Sequence, residues 1–302
     1  MSEMHGTVTH EAGPPGAAPR LRGRGGAALP LTPARRVALL IGVPVCLALT
    51  GFVGLNIAAL VGRGYTHFSH TFPAGTKRLS VTGGGGNVVL EQVATGPARL
   101  SGSGYYSLVR PNFTESTSAD SATFGYPCEL PIGDCGLNAT VSVPAGIAVT
   151  ISTGGGDLSA SGLTGTVSLS TGGGDLTATD LAGNDTLQTG GGDLTADQLT
   201  GDVDLGTDGG DITATSVDSQ RVTAGSGGGD IEIVFTRVPQ DVQVSTEGGD
   251  VTIVVPAGAA TYDVTAGSSG GNLSDAVPQS ASSPRKITAS SGGGDITIEQ
   301  ST

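Results

Sequence analysis

From Val88 to the C-terminus, short runs of apolar-polar-apolar alternation follow a recurring Gly-Gly-Asp, at Asp157, Asp175, Asp193, Asp211, Asp230, Asp250 and Asp295. Gly271-Asn272 fills the one gap, and Gly85-Gly86-Asn87 is an earlier member. From Asp157 the spacings are 18, 18, 18, 19, 20, 22 and 23 residues, with Asn272 counted in its place. The position after the Asp or Asn is always aliphatic: Val88, Leu158, Leu176, Leu194, Ile212, Ile231, Val251, Leu273 and Ile296. Two positions further on lie Leu90, Ala160, Ala178, Ala196, Ala214, Ile233, Ile253 and Ile298, with only Asp275 breaking the series. Polar residues such as Ser159, Thr177 and Thr213 stand between them, which predicts a strand with one buried face. Eight and six residues before the Asp, pairs such as Val149/Ile151, Val167/Leu169, Val203/Leu205 and Val242/Val244 predict a second strand. Each unit is thus two short strands around a glycine turn.

Such a unit cannot bury its apolar face alone. Stacking like units in register gives a shared narrow core, so the pattern predicts an all-β chain: a β-solenoid, parallel β-helix-like, of about nine Gly-Gly-Asp repeats. At about 4.8 Å per rung it would be a rod on the order of 43 Å long. An antiparallel sheet roll is the alternative. The glycines are expected to serve the turn by adopting positive φ, with Asp bonding nearby backbone N–H groups. We place the solenoid over 76–302, after a linker at 63–75. An insertion at 97–138 collects Tyr105, Tyr106, Phe113, Phe124 and Tyr126 as either a cap or a ligand-contacting lobe.

Composition changes the picture at the N-terminus. Between Arg36 and Arg63 lie 26 uncharged residues, enough at about 1.5 Å each to cross a hydrocarbon core of about 30 Å. We therefore expect one transmembrane α-helix over 37–62, preceding the solenoid. Residues 1–36 carry five arginines against Glu3 and Glu11, so the positive-inside rule puts them in the cytoplasm as a basic tail and the repeats outside. The expected location is the cell membrane, single-pass; a cleaved secretory signal is the rival, and it exports the repeats equally. From Thr150 on, 20 acidic residues face only Arg221, Arg237, Arg285 and Lys286, which argues against nucleic acid and for cationic peptides, basic proteins or divalent ions as partners. Cys128 and Cys135 lie seven positions apart in the exported part, and a disulfide between them is expected; two cysteines without nearby histidines fall short of a zinc ligand set.

If the rungs stack, Asp157, Asp175, Asp193, Asp211, Asp230, Asp250 and Asp295 form a column of like charges about 4.8 Å apart, each pair repelling by roughly 0.9 kcal/mol even in water. Turn N–H groups or a bridging Ca²⁺, as a calcium ladder, could offset this. No other cofactor is expected. An Asp stands where a phosphate-binding loop needs Lys, and all four histidines precede the repeats, so a Ser-His-Asp site within the solenoid is excluded. Asp175 with Asp180, or Asp202 with Asp204, are the carboxylate pairs a polysaccharide-active β-helix enzyme would use.

The repeats, with Phe72-Pro73-Ala74-Gly75, Val143-Pro144-Ala145-Gly146 and Val255-Pro256-Ala257-Gly258 before strands, resemble the bacterial "putative adhesin" family of β-strand-repeat domains over roughly Phe72 to Glu299. The resemblance implies an envelope-located β-solenoid without catalytic residues. The expected function is a membrane-anchored, extracytoplasmic, adhesin-like binding or envelope-sensing module, not an enzyme; a structural spacer and the polysaccharide-active enzyme are the alternatives.

Overall fold

The computed structural model describes residues 33–61, 63–107, 110–126 and 135–302. Two units are distinct, with a boundary after Phe52.

The helix α1, Pro33–Val61, starts on a proline, which is tolerated at the first helical position because its missing N–H has no intrahelical partner there. It runs through Pro44, and Thr50 Oγ1 donates to the Cys46 carbonyl at 2.8 Å. Among the described residues no helix is long and apolar enough to cross a membrane. The 29 residues of the helix rise about 44 Å.

The strands make two sheets, of 12 and 11 strands, that are parallel except at one end. Alternation works as the pattern predicts, because successive side chains point to opposite faces and only one face meets the other sheet. The predicted aliphatic column stacks in register from Val88 through Leu158, Leu176, Leu194, Ile212, Ile231 and Val251. All seven are buried, as are the small residues Ala160, Ala178, Ala196 and Ala214 behind them. The antiparallel roll is thereby excluded for the repeats.

The N-terminal end departs from expectation. The strands are β1 (Arg63–Thr71), β2 (Arg78–Gly83), β3 (Val88–Val93), β4 (Arg99–Ser107), β5 (Thr114–Thr117), β6 (Ser121–Tyr126) and β7 (Cys135–Pro144). The linker expected over 63–75 is mostly β1, antiparallel to β4. The insertion expected over 97–138 is not wholly outside the repeat: β6 pairs in parallel with β2 and β7 with β3, adding one more rung. That rung escaped the pattern because Gly136-Leu137-Asn138 replaces Gly-Gly-Asp. Leaving out β1, β4 and β5, the two sheets make ten rungs. Phe68 lies 5.0 Å from Phe113 and 5.9 Å from Phe124, ring centre to ring centre, so aromatics close this end of the core.

Order in space differs from order in sequence at the other end too. The strands Lys286–Ser291 and Ile296–Gln300 insert beside Asp241–Thr246 and Val251–Val255, pushing Asp263–Ser268 and Leu273–Asp275 to the outside. Asp275 explains this. It occupies the inner column that Ile253 and Ile298 fill elsewhere, and a carboxylate is far cheaper there in a terminal rung than between two others.

Candidate functional site

The column of aspartates is a continuous hydrogen-bond ladder. Asp157 Oδ1 accepts the backbone N–H of Asp175, Asp175 that of Asp193, Asp193 that of Asp211, and so on through Asp230 and Asp250 to Asp295. Amides close both ends: Asn138 Oδ1 accepts from Asn87 N and Asn87 Oδ1 from Asp157 N, while Asp295 Oδ1 receives Asn272 N. Each carboxylate is therefore matched to an N–H of the neighbouring rung, one of the two means expected to offset the like-charge column. Among the described residues no group of three or more His, Cys, Asp or Glu converges as a metal site. The carboxylates line up along the stack instead of surrounding a point.

A second file, four positions before the Asp, escaped the sequence reading. Thr189 Oγ1 donates to the Gly174 carbonyl of the neighbouring rung and accepts Gly192 N–H of its own turn. Thr171, Thr207, Ser226, Thr246 and Ser291 repeat both bonds. Their identity as Ser or Thr at a buried, strand-ending position was the available signal.

The glycine expectation needs correction. Of the residues directly before the Asp or Asn, only Gly86 and Gly156 have positive φ. At Gly174, Gly192, Gly210, Gly229, Gly249 and Gly294 a Cβ would stand closer than 3.0 Å to the carbonyl of the glycine in the next rung. Glycine is required there by the contact between rungs. Positive φ belongs elsewhere, to Gly162, Asp180, Gln198 and Ser216, one corner in four successive rungs.

Among the described residues Asp185 is the one buried carboxylate, 2% exposed, in a column where Val167 and Val203 are its in-register neighbours. Desolvation pushes its pKa from 3.8 up to about 7, opposed by the backbone N–H of Val167. That N–H, however, donates to the Asn184 carbonyl at 3.2 Å, and neither Asp185 oxygen has a hydrogen-bond partner by distance and angle. Burial therefore dominates. Tyr126, also without a partner for its hydroxyl, is pushed to about 12 for the same reason.

At the aromatic end, β1, β4 and β7 present an outer face on which Tyr65, His67, Ser103, Tyr105 and Asn138 lie between Arg63 and Arg99. Tyr65 pairs with Tyr105 and Tyr105 with Gly136 in one row; His67, Ser103 and Asn138 make the next. Tyr65 is 81% exposed. A trough of about 590 Å³ runs between this face and the turn glycines Gly85, Gly86, Gly155 and Gly156.

Residues 137–302, more than half of the sequence, match the family described as Toastrack DUF4097. The chain belongs to this family. No curated protein matches it. Among solved structures, a "putative adhesin" from Bacteroides fragilis is 16% identical, over 79% of this chain and 97% of that one, with a TM-score of 0.45. Another, from Parabacteroides merdae, is 11% identical over 79% and 96%, also at 0.45. A "putative cell adhesion protein" from Clostridium sporogenes is 14% identical over 79% and 100%, at 0.28. Scores this low decide nothing, and the fold rests on the strand register above.

Within the Toastrack repeats the other predicted residues scatter. Asp202 is paired with Arg221 at 2.8 Å, and Asp180 sits at the left-handed corner, four residues beyond the start of the strand that Asp175 precedes. Cys135 is disulfide-bonded and Cys46 is free; Cys128 lies outside the described residues, as does most of the basic tail.

Proposed function

We propose that this Toastrack chain is a non-enzymatic, membrane-anchored surface module: one transmembrane helix, then a β-solenoid of Gly-Gly-Asp/Asn repeats held outside the cell for adhesin-like binding. The observation that carries the reading is the division of labour along the repeat unit. Its aspartates are spent on N–H groups of neighbouring rungs, whereas side chains free to meet a ligand gather on the outer face at the aromatic end. Carboxylates committed to a backbone ladder are poorly placed to act as acid and base. The anchor is supported by α1, where Leu40, Ile41, Val43, Leu47 and Leu49 are exposed around the helix, a distribution suited to lipid. The acidic length of the rod favours cationic partners by long-range attraction.

The test is topology. The full chain with a C-terminal epitope tag is expressed in bacterial cells and intact spheroplasts are treated with a protease that cleaves the tag. The proposal expects the protein in the membrane fraction with its tag removed from outside. A protected tag, or protein released by carbonate washing, would sink the anchored arrangement.

A further inference from the structure

The outer face at the aromatic end has the chemistry of a sugar site. Cross-strand register sets Tyr65 beside Tyr105, and next in the row comes Gly136, over which the Tyr105 ring lies: a Cβ there would stand 3.1 to 3.4 Å from its atoms. Arg63 sits over Tyr105, 5.5 Å from the ring centre, while Tyr65 is 81% exposed, more than any other large hydrophobic side chain among the described residues. One row along, two residues further on each strand, stand His67, Ser103 and Asn138. Asn138 spends its carbonyl oxygen on the N–H of Asn87, leaving its NH₂ group as an uncommitted donor.

Two adjoining troughs share His67, Ser103 and Asn138; among the described residues no charged side chain lines either, and the Arg63 guanidinium stands at the edge over Tyr105. An aromatic plane beside uncharged donors and acceptors suits a ligand with a C–H face and a rim of hydroxyls. A third row, Ser69, Ser101 and Thr140, continues the face, and three rows two residues apart extend about 14 Å, which is oligosaccharide length. The floor of turn glycines brings backbone close to the ligand without a side chain intervening.

We infer that the Tyr65, Tyr105, His67, Ser103 and Asn138 face binds a neutral oligosaccharide, with a sugar ring stacked on Tyr65. This deepens the proposed surface-binding function and rests on it for access to an external glycan. The binding test is independent of topology, so the two can fail separately.

The full chain, in detergent, is titrated calorimetrically with maltotetraose, cellotetraose and tetra-N-acetylchitotetraose. At least one should bind at one site per chain. Tyr65→Ala should weaken that binding about tenfold or more, Tyr65→Phe should stay within about threefold, and Thr177→Ala, on the outer face of a distant rung, should not differ. Absence of binding by all three sugars overturns the inference, and so does a Tyr65→Ala protein that binds like wild type. If no sugar binds and brominated lipid in nanodiscs quenches tyrosine emission in wild type but not in Tyr65→Ala, the face belongs to the membrane surface instead.

Discussion

Asp193 Oδ1 accepts the backbone N–H of Asp211 at 2.9 Å, 18 residues away in sequence and one rung away in space. The bond needs an acceptor, not a charge, as Asn138 and Asn87 show by accepting in the same way at the N-terminal end of the ladder. Asp193→Ala should therefore cost about 1–2 kcal/mol in denaturant unfolding, while Asp193→Asn should change stability by less than about 0.5 kcal/mol. Equal losses for both variants would mean that the charge itself matters.

Calcium supplies the second prediction. Because the carboxylates run in file and each has an N–H partner, melting temperature followed by circular dichroism should be the same in millimolar calcium and in chelator. A calcium-dependent rise of several degrees would instead make the column a metal ladder.

Neighbouring glycines should behave oppositely. A Cβ at Gly191 meets nothing within 4 Å, whereas one at Gly192 would run into the Gly174 carbonyl. Gly191→Ala should be neutral or stabilising by up to about 1 kcal/mol through the unfolded chain. Gly192→Ala should destabilise by about 2 kcal/mol or more, since the rungs must part or the turn must rebuild. Matching melting temperatures for the two variants would refute the inter-rung explanation.

Asp185 makes stability depend on pH. Its folded pKa, about 7, lies above the ordinary 3.8, so the fold holds the proton more tightly than the unfolded chain does. The contribution is fully present below about pH 4 and is lost as pH rises through about 7, a change on the order of 4 kcal/mol. Asp185→Val, matching Val167 and Val203, should raise the melting temperature more at pH 8 than at pH 4. A pH-independent gain would show that Asp185 stays charged, or stays neutral, throughout.

How much of this was legible in the sequence depends on whether a residue answers to its own chain neighbours or to another rung. Alternation about each Asp reports directly which side chains face inward, so the strands and the positions that stack from Leu158 to Val251 could be read from spacing, while the pairing itself decided for the parallel stack over the antiparallel roll. The break at Asp275 was visible too, but not its meaning. Only the stacked structure shows that this rung sits outermost, with the later strands Lys286–Ser291 and Ile296–Gln300 slipped beneath it.

The site was less legible. Tyr65 and His67 fell in a stretch expected to be a linker, because their strand forms by antiparallel pairing with β4 and carries none of the repeat's turn residues. The two-strand unit, its repetition and its acidic edge follow from local periodicity and residue chemistry and are fixed by the order of residues. Tertiary structure alone decided why each turn needs glycine, what the aspartates bond to, and which aromatics meet on one face. Those outcomes depend on atoms 18 or more residues apart brought within contact distance, and a repeat spacing records that such contacts recur without saying which atoms make them.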